Sequence, residues 1–146
     1  RIASRAWAAA AALALLAFWL IGAQAYARDV QIIETEMVAA ARWVQQSTPA
    51  GALIAAHDIG ALGYFAERRI LDMAGLVSPE VIPFIRDEAR LREWLTAAGA
   101  DYLVTFPGWY PDLAGPLAEA EVFRTRAPFS PAAGGENMVV YAWPPQ

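Results

Sequence analysis

One histidine, His57, stands beside Asp58 at the end of the apolar run Ala52-Leu53-Ile54-Ala55-Ala56. A second carboxylate, Asp72, closes the run Arg69-Ile70-Leu71, and Trp109 and Tyr110 follow the run from Asp101 to Phe106. All three runs read as strands, and in open α/β sheets ligands gather at the carboxyl ends of strands. A histidine, two carboxylates and two aromatic rings at such an edge make a lining suited to a sugar or another small polar ligand. The same residues have plainer uses. Asp58 would cap the next turn, Asp72 would accept from loop amides at Gly75-Leu76, and His57 would sit in the core. Trp109 and Tyr110 would cover the sheet edge or rest on lipid headgroups. A glycosidase-like use of Asp58 with Asp72 depends on a carboxylate separation that sequence does not supply.

Other chemistries fit less well. Asp58-Ile59-Gly60-Ala61-Leu62-Gly63 follows a strand as nucleotide-binding loops do. A βαβ crossover, however, needs roughly a dozen or more residues, and Arg69 comes too soon. No cofactor is therefore expected. Ser4, Ser47, Ser78 and Ser130 lie in no G-x-S-x-G elbow. Arg86, Arg90 and Arg92 alternate with Asp87, Glu88 and Glu93, the pattern of paired charges on a solvated helix face. Zero Cys and one His exclude zinc ribbons, iron–sulfur clusters and thiol nucleophiles, so no metal site is expected. All 11 basic residues are Arg, and residues 29–146 hold 8 of them against 15 Asp and Glu. An acidic body without Lys is a poor match for phosphate backbones, so nucleic acid is not an expected partner.

The elements that must position these residues begin with a membrane-like segment. Ala6 to Ala27 has Gln24 as its only strongly polar member. As a helix it would be roughly 33 Å long, enough to cross a hydrocarbon core of about 30 Å. Arg1 and Arg5 precede it, which by the positive-inside rule places the N-terminal side in the cytoplasm. Trp7, Trp19 and Tyr26 are available as interfacial anchors. The alternative is a signal peptide cleaved at Ala23-Gln24-Ala25, although the apolar run exceeds the usual h-region of about 7–15 residues. Both readings place residues 29–146 outside the cytoplasm. Beginning at Arg1 without Met, the chain is expected to be cut from a longer protein.

Three parts are expected: a membrane helix over 1–28, an amphipathic connecting helix over 29–50, and an α/β domain over 51–146. In the connecting helix Val30, Ile33, Met37, Val38, Ala41 and Val44 recur at helical spacing, and Thr48-Pro49-Ala50-Gly51 stops it. Ala52–Ala56 and Arg69–Met73 predict short strands, with helical turns over Ile59–Ala66 capped by Asp58. Ser78-Pro79-Glu80 has the form of a helix start. A helix over Arg86–Ala98, with Leu91, Trp94, Leu95 and Ala98 inward and Gly99 as C-cap, leads to the strand Asp101–Phe106. A short helix over Leu113–Glu119 follows. Glu121–Arg126 and Met138–Trp143 read as the last strands, separated by the turn-rich Pro128–Asn137. The fold class is α/β: a single N-terminal transmembrane helix, then a small layered domain with a mixed sheet of about five strands.

This order of elements, with Ile54-Ala55-Ala56-His57-Asp58-Ile59-Gly60-Ala61-Leu62-Gly63-Tyr64-Phe65 and Arg69-Ile70-Leu71-Asp72-Met73-Ala74-Gly75-Leu76, then Asp101-Tyr102-Leu103-Val104 and Met138-Val139-Val140-Tyr141, resembles a known group. It is similar to the extracytoplasmic C-terminal domain of bacterial multi-pass glycosyltransferases that use polyprenyl-phosphate sugars, the dolichyl-phosphate-mannose-protein mannosyltransferase-like proteins. In that group the catalytic acid and lipid-phosphate contacts lie between earlier membrane helices. The resemblance therefore implies no catalytic residue here. It implies a non-catalytic domain that helps position acceptor or substrate. Its partners would be the lipid bilayer, the upstream membrane domain of the same protein, and a glycan or polyprenyl-linked sugar. A membrane-tethered glycan- or envelope-binding module is the alternative, and a stand-alone hydrolase using Asp58 and Asp72 a third reading.

Overall fold

A computed structural model describes residues 1–143. A single helix, α1, runs from Ile2 to Ser47. Residues 1–29 are exposed on every side. That part is apolar all round, so it has no inward stripe to offer a sheet, and it is long and apolar enough to cross a membrane. From Val30 onward one face is half-buried, and from Glu36 it is buried, so the connecting helix expected over 29–50 is the second part of the same rod.

The join is a π-helical turn, Glu34–Val38. Such a turn inserts an extra residue and shifts the helix phase. Glu36 is thereby buried beside Val38, while Ile33, expected inward by simple helical spacing, is left 46% exposed. The last part, Ala39–Ser47, buries Ala40, Ala41 and Val44. It stops where Thr48 turns extended, with Thr48 Oγ1 donating to Val44 O at 2.6 Å.

Strands β1 (Leu53–Ala56), β2 (Arg69–Asp72), β3 (Tyr102–Thr105), β4 (Glu121–Arg124) and β5 (Val139–Ala142) form one mixed sheet in the order β2-β1-β3-β5-β4. β1 is parallel to both β2 and β3, and β5 is antiparallel to β3 and β4. Helices cover both faces, as alternation along the strands requires. Ile54, Ala56, Val104 and Val140 pack under Ala40, Ala41 and Val44 of α1 and Leu62 of α2 (Gly60–Phe65). Ala55, Leu103, Val139 and Tyr141 face Leu91 and Leu95 of α3 (Glu88–Ala98) and Leu113 of α4 (Pro111–Ala114). The fold is a three-layer α/β arrangement.

Several local expectations change. Asp58 does not cap α2: Ile59 holds that position, and Asp58 Oδ1 only meets the Gly60 N–H at 3.3 Å in an Asx-type turn. Ser78 makes no capping bond, and Pro79–Phe84 is a 3₁₀ segment. Pro83 lacks the donor an α-helix would need there and turns its predecessor away from α geometry. α3 starts at Glu88, with the Asp87 carboxylate accepting from Arg90 N at 3.1 Å, and ends on Gly99 at φ 72° as expected. Ala98 faces solvent, not the core. The helix expected over Leu113–Glu119 breaks at Gly115-Pro116 into α4 and a 3₁₀ segment, Gly115–Ala120. One more short helix, α5 (Phe129–Ala132), sits within the turn-rich stretch.

Candidate functional site

Asp72 closes β2 with no exposed surface. Its two oxygens accept the amides of Ala74 at 2.8 Å and Val77 at 2.6 Å. Both bonds hold the loop beyond the strand, through the amides on either side of the expected Gly75-Leu76 pair. An acid–base pair with Asp58 has no reacting group at this end, since Asp72 is sealed from substrate. Asp58 is half-buried and does not line the cavity described next.

His57, Trp109 and Tyr110 do come together. β1 delivers His57 and β3 delivers the Pro107–Trp109 turn, and parallel pairing in register places both strand ends on one edge. His57 Nδ1 lies 2.6 Å from Tyr110 Oη, a hydrogen bond whose direction follows the imidazole tautomer. The Trp109 ring meets the His57 ring edge-on at 5.2 Å and leans on Phe106 at 5.0 Å. Gly108 sets that turn. Its N–H donates to Glu136 at 2.6 Å, and a Cβ there would stand 2.9 Å from the same carboxylate oxygen.

These three residues line a cavity of about 610 Å³ together with Ile85, Arg86 and Glu88. Burial, followed by the nearby negative charges of Glu88 and Asp72, pushes the Tyr110 phenol up to about 12. It therefore stays protonated at any physiological pH and remains able to donate. Glu88 is fixed by accepting the Leu113 N–H at 2.7 Å, which ties the start of α3 to α4. The cavity thus offers an aromatic wall, a guanidinium, a carboxylate and an imidazole–phenol pair, a set that can bind hydroxyls and an anionic group on one ligand. Among the described residues no cluster of three His, Asp or Glu side chains suits a metal ion.

Ile85, Arg86 and Glu88 are additions that sequence spacing hides, because the charge pattern there is that of an ordinary solvated helix. The chain from Pro79 to Asp87 folds back over the strand ends and turns them toward His57.

Glu36 is a second omission. It reads as a polar-face residue, yet it has no exposed surface. Its carboxylate accepts from Thr125 Oγ1, from Asn137 Nδ2 at 2.9 Å and from Met138 N at 2.8 Å. Three donors from the β4–β5 connection satisfy the charge, so the contact clamps α1 onto the sheet. A larger hollow, about 820 Å³, lies at the opposite sheet end and includes Tyr102, Asp101, Glu121 and Trp143. Two of its acids are already engaged, Asp101 with the Leu53 amide at 2.8 Å and Glu121 with Arg124 at 2.5 Å.

Residues 24–141 match the model of a family described as a domain of unknown function, DUF8728. The chain belongs to that family. The matched DUF8728 stretch takes in the π turn and the packed part of α1, along with all five candidate residues and the first residues of β5. No curated protein and no solved structure matches the chain.

Proposed function

We propose that this DUF8728 chain is the non-catalytic extracytoplasmic C-terminal domain of a membrane glycosyltransferase, assisting transfer of a sugar from a polyprenyl-phosphate donor. In this reading the apolar part of α1 spans the bilayer and the His57–Trp109–Tyr110 cavity holds the acceptor or the lipid-linked sugar. The observation that carries it is the position of that cavity, at the sheet edge nearer the apolar part of α1. α1 runs antiparallel to β1 and β3: Ser47 lies near the start of β1, and Glu36 near Met138, at the end of β3. A ligand in the cavity would thus be held on the side from which a membrane-linked sugar arrives. Trp109 supplies a ring face for sugar C–H groups, Tyr110 and His57 hydroxyl contacts, and Arg86 a partner for phosphate. Sealing of Asp72 counts against the hydrolase reading.

The test is titration of the full chain in nanodiscs with a polyprenyl-phosphate sugar and, separately, with the free oligosaccharide. Binding of the lipid-linked form, weakened about tenfold or more by Trp109→Ala, is expected, since each 1.4 kcal/mol is tenfold. Equal binding of the free glycan would favour an envelope-binding module. Absence of both would overturn the site.

A further inference from the structure

The loops at the carboxyl ends of the parallel strands carry four large apolar side chains that are each about half exposed or more. Leu76 and Val77 follow β2 and are 76% and 68% exposed, Ile82 is 56% exposed, and Trp109 after β3 is 49% exposed. Ile82 lies against Gly75 in the same loop cluster, and Ile85 and Trp109 share the cavity wall. The Asp72 carboxylate fixes this presentation by holding Ala74 and Val77. The edge is thus an apolar surface on an otherwise acidic domain.

The geometry points to the outer interfacial layer of the bilayer that α1 crosses, an inference that rests on the span proposed above. Arg28 and Asp29 end the apolar run. From Arg28 to Glu36 the helix rises about 12 Å at 1.5 Å per residue. Glu36 is level with the end of β3, because it binds the Met138 amide one residue before the Thr105–Val139 pair. The sheet edge therefore lies about 12 Å outside the hydrocarbon core. The headgroup layer itself occupies roughly 5–8 Å of that distance. Leu76 and Val77 sit on the turn that the Asp72 carboxylate holds closed beyond β2, with both side chains exposed. The gap left is about 4–7 Å, of the order of a turn and its large side chains. α5 lies against the Ile2–Ile33 part of α1, so the domain already reaches up beside the emerging helix. Trp is a residue of membrane interfaces, and Leu, Val and Ile add apolar area. With residues 29–146 net acidic, attraction to anionic lipid does not drive this docking, so it holds on zwitterionic bilayers. The domain lies on the membrane with the cavity mouth at the headgroups.

The chain has no cysteine, so single spin labels can be placed cleanly at Leu76→Cys, Val77→Cys, Ala12→Cys and Ala118→Cys in the full chain. Accessibility to molecular oxygen and to a water-soluble nickel chelate is then read in phosphatidylcholine nanodiscs. Docking requires an oxygen-to-nickel ratio several-fold higher at positions 76 and 77 than at Ala118, an exposed residue in the Gly115–Ala120 segment. Adding Val77→Asp with the label at Leu76→Cys should return that ratio to the Ala118 level, and since Val77 is exposed this change does not threaten the fold. A label at Ala12→Cys in hydrocarbon with Leu76→Cys reading like Ala118→Cys overturns the docking alone. An Ala12→Cys label in water overturns the span and the docking together.

Discussion

Removing the Glu36 carboxylate takes an acceptor from the Thr125 hydroxyl, the Asn137 amide and the Met138 N–H. Thr125 and Met138 keep second acceptors in Met138 O and Thr125 Oγ1, so one Asn137 N–H is the donor left without one. A buried donor without an acceptor costs about 1–3 kcal/mol, and Glu36→Ala should lower stability by about that much. Glu36→Gln, which keeps an acceptor oxygen, should lose clearly less, both read as urea midpoints by pulse proteolysis. Tyr110 gives a pH-dependent counterpart. Its folded pKa of about 12 exceeds the ordinary 10.0, so on raising the pH the unfolded chain loses this proton first. Binding fewer protons when unfolded means stability is level below pH 10 and falls from there to about 12. Tyr110→Phe should make that fall shallower, with the buried Tyr141 phenol, also shifted upward, supplying the rest. At this scale the meeting of His57, Trp109 and Tyr110 is legible, because β1 and β3 are parallel in register and end at one edge. Glu36 is not, because a helical wheel places it among polar neighbours, and only the π turn and distant Asn137 and Met138 make its burial affordable.

At the scale of elements, two glycines with similar φ separate strain from crowding. Gly99 (φ 72°) ends α3 with open space where a Cβ would stand, whereas at Gly75 (φ 78°) a Cβ would meet Ile82 Cγ1 at 2.8 Å. Left-handed geometry costs a non-glycine residue roughly 1–2 kcal/mol. Gly99→Ala should cost about that much. Gly75→Ala should cost more, and because Ile82 must move, it should also alter the apolar edge. Thermal midpoints of the two variants in detergent test the order, and equal losses would show that the Ile82 side chain yields freely. α3 and β3 follow closely from apolar spacing, the Asp87 cap and Gly99. The segments Pro79–Phe84 and Gly115–Ala120 do not, because prolines at 79, 83 and 116 satisfy helix-start signals while removing the donors a full α-helix requires.

For the molecule as a whole, α1 is two physical objects in one rod. Its first 28 residues contribute no buried side chain to the domain. The part from Glu36 to Val44 supplies Glu36, Val38, Ala40, Ala41 and Val44 to the layer over Ile54, Ala56, Val104 and Val140. Composition makes the first part legible as a candidate membrane segment and the sheet order legible as α/β, but not the continuity that fixes which edge of the sheet lies nearer the apolar part of α1. That continuity predicts a sharp difference between two truncations. A chain starting at Asp29 loses only exposed surface and should keep a dispersed amide spectrum and a cooperative unfolding transition. A chain starting at Arg42 loses the Glu36 clamp and three buried side chains ahead of Val44. Domain stabilities are only about 5–15 kcal/mol, so losses of about 1–3 kcal/mol at each of several buried sites should abolish the fold. Cooperative unfolding in the Arg42 chain would mean that the α1 layer is an accessory, and that the cavity edge is not held in place by α1.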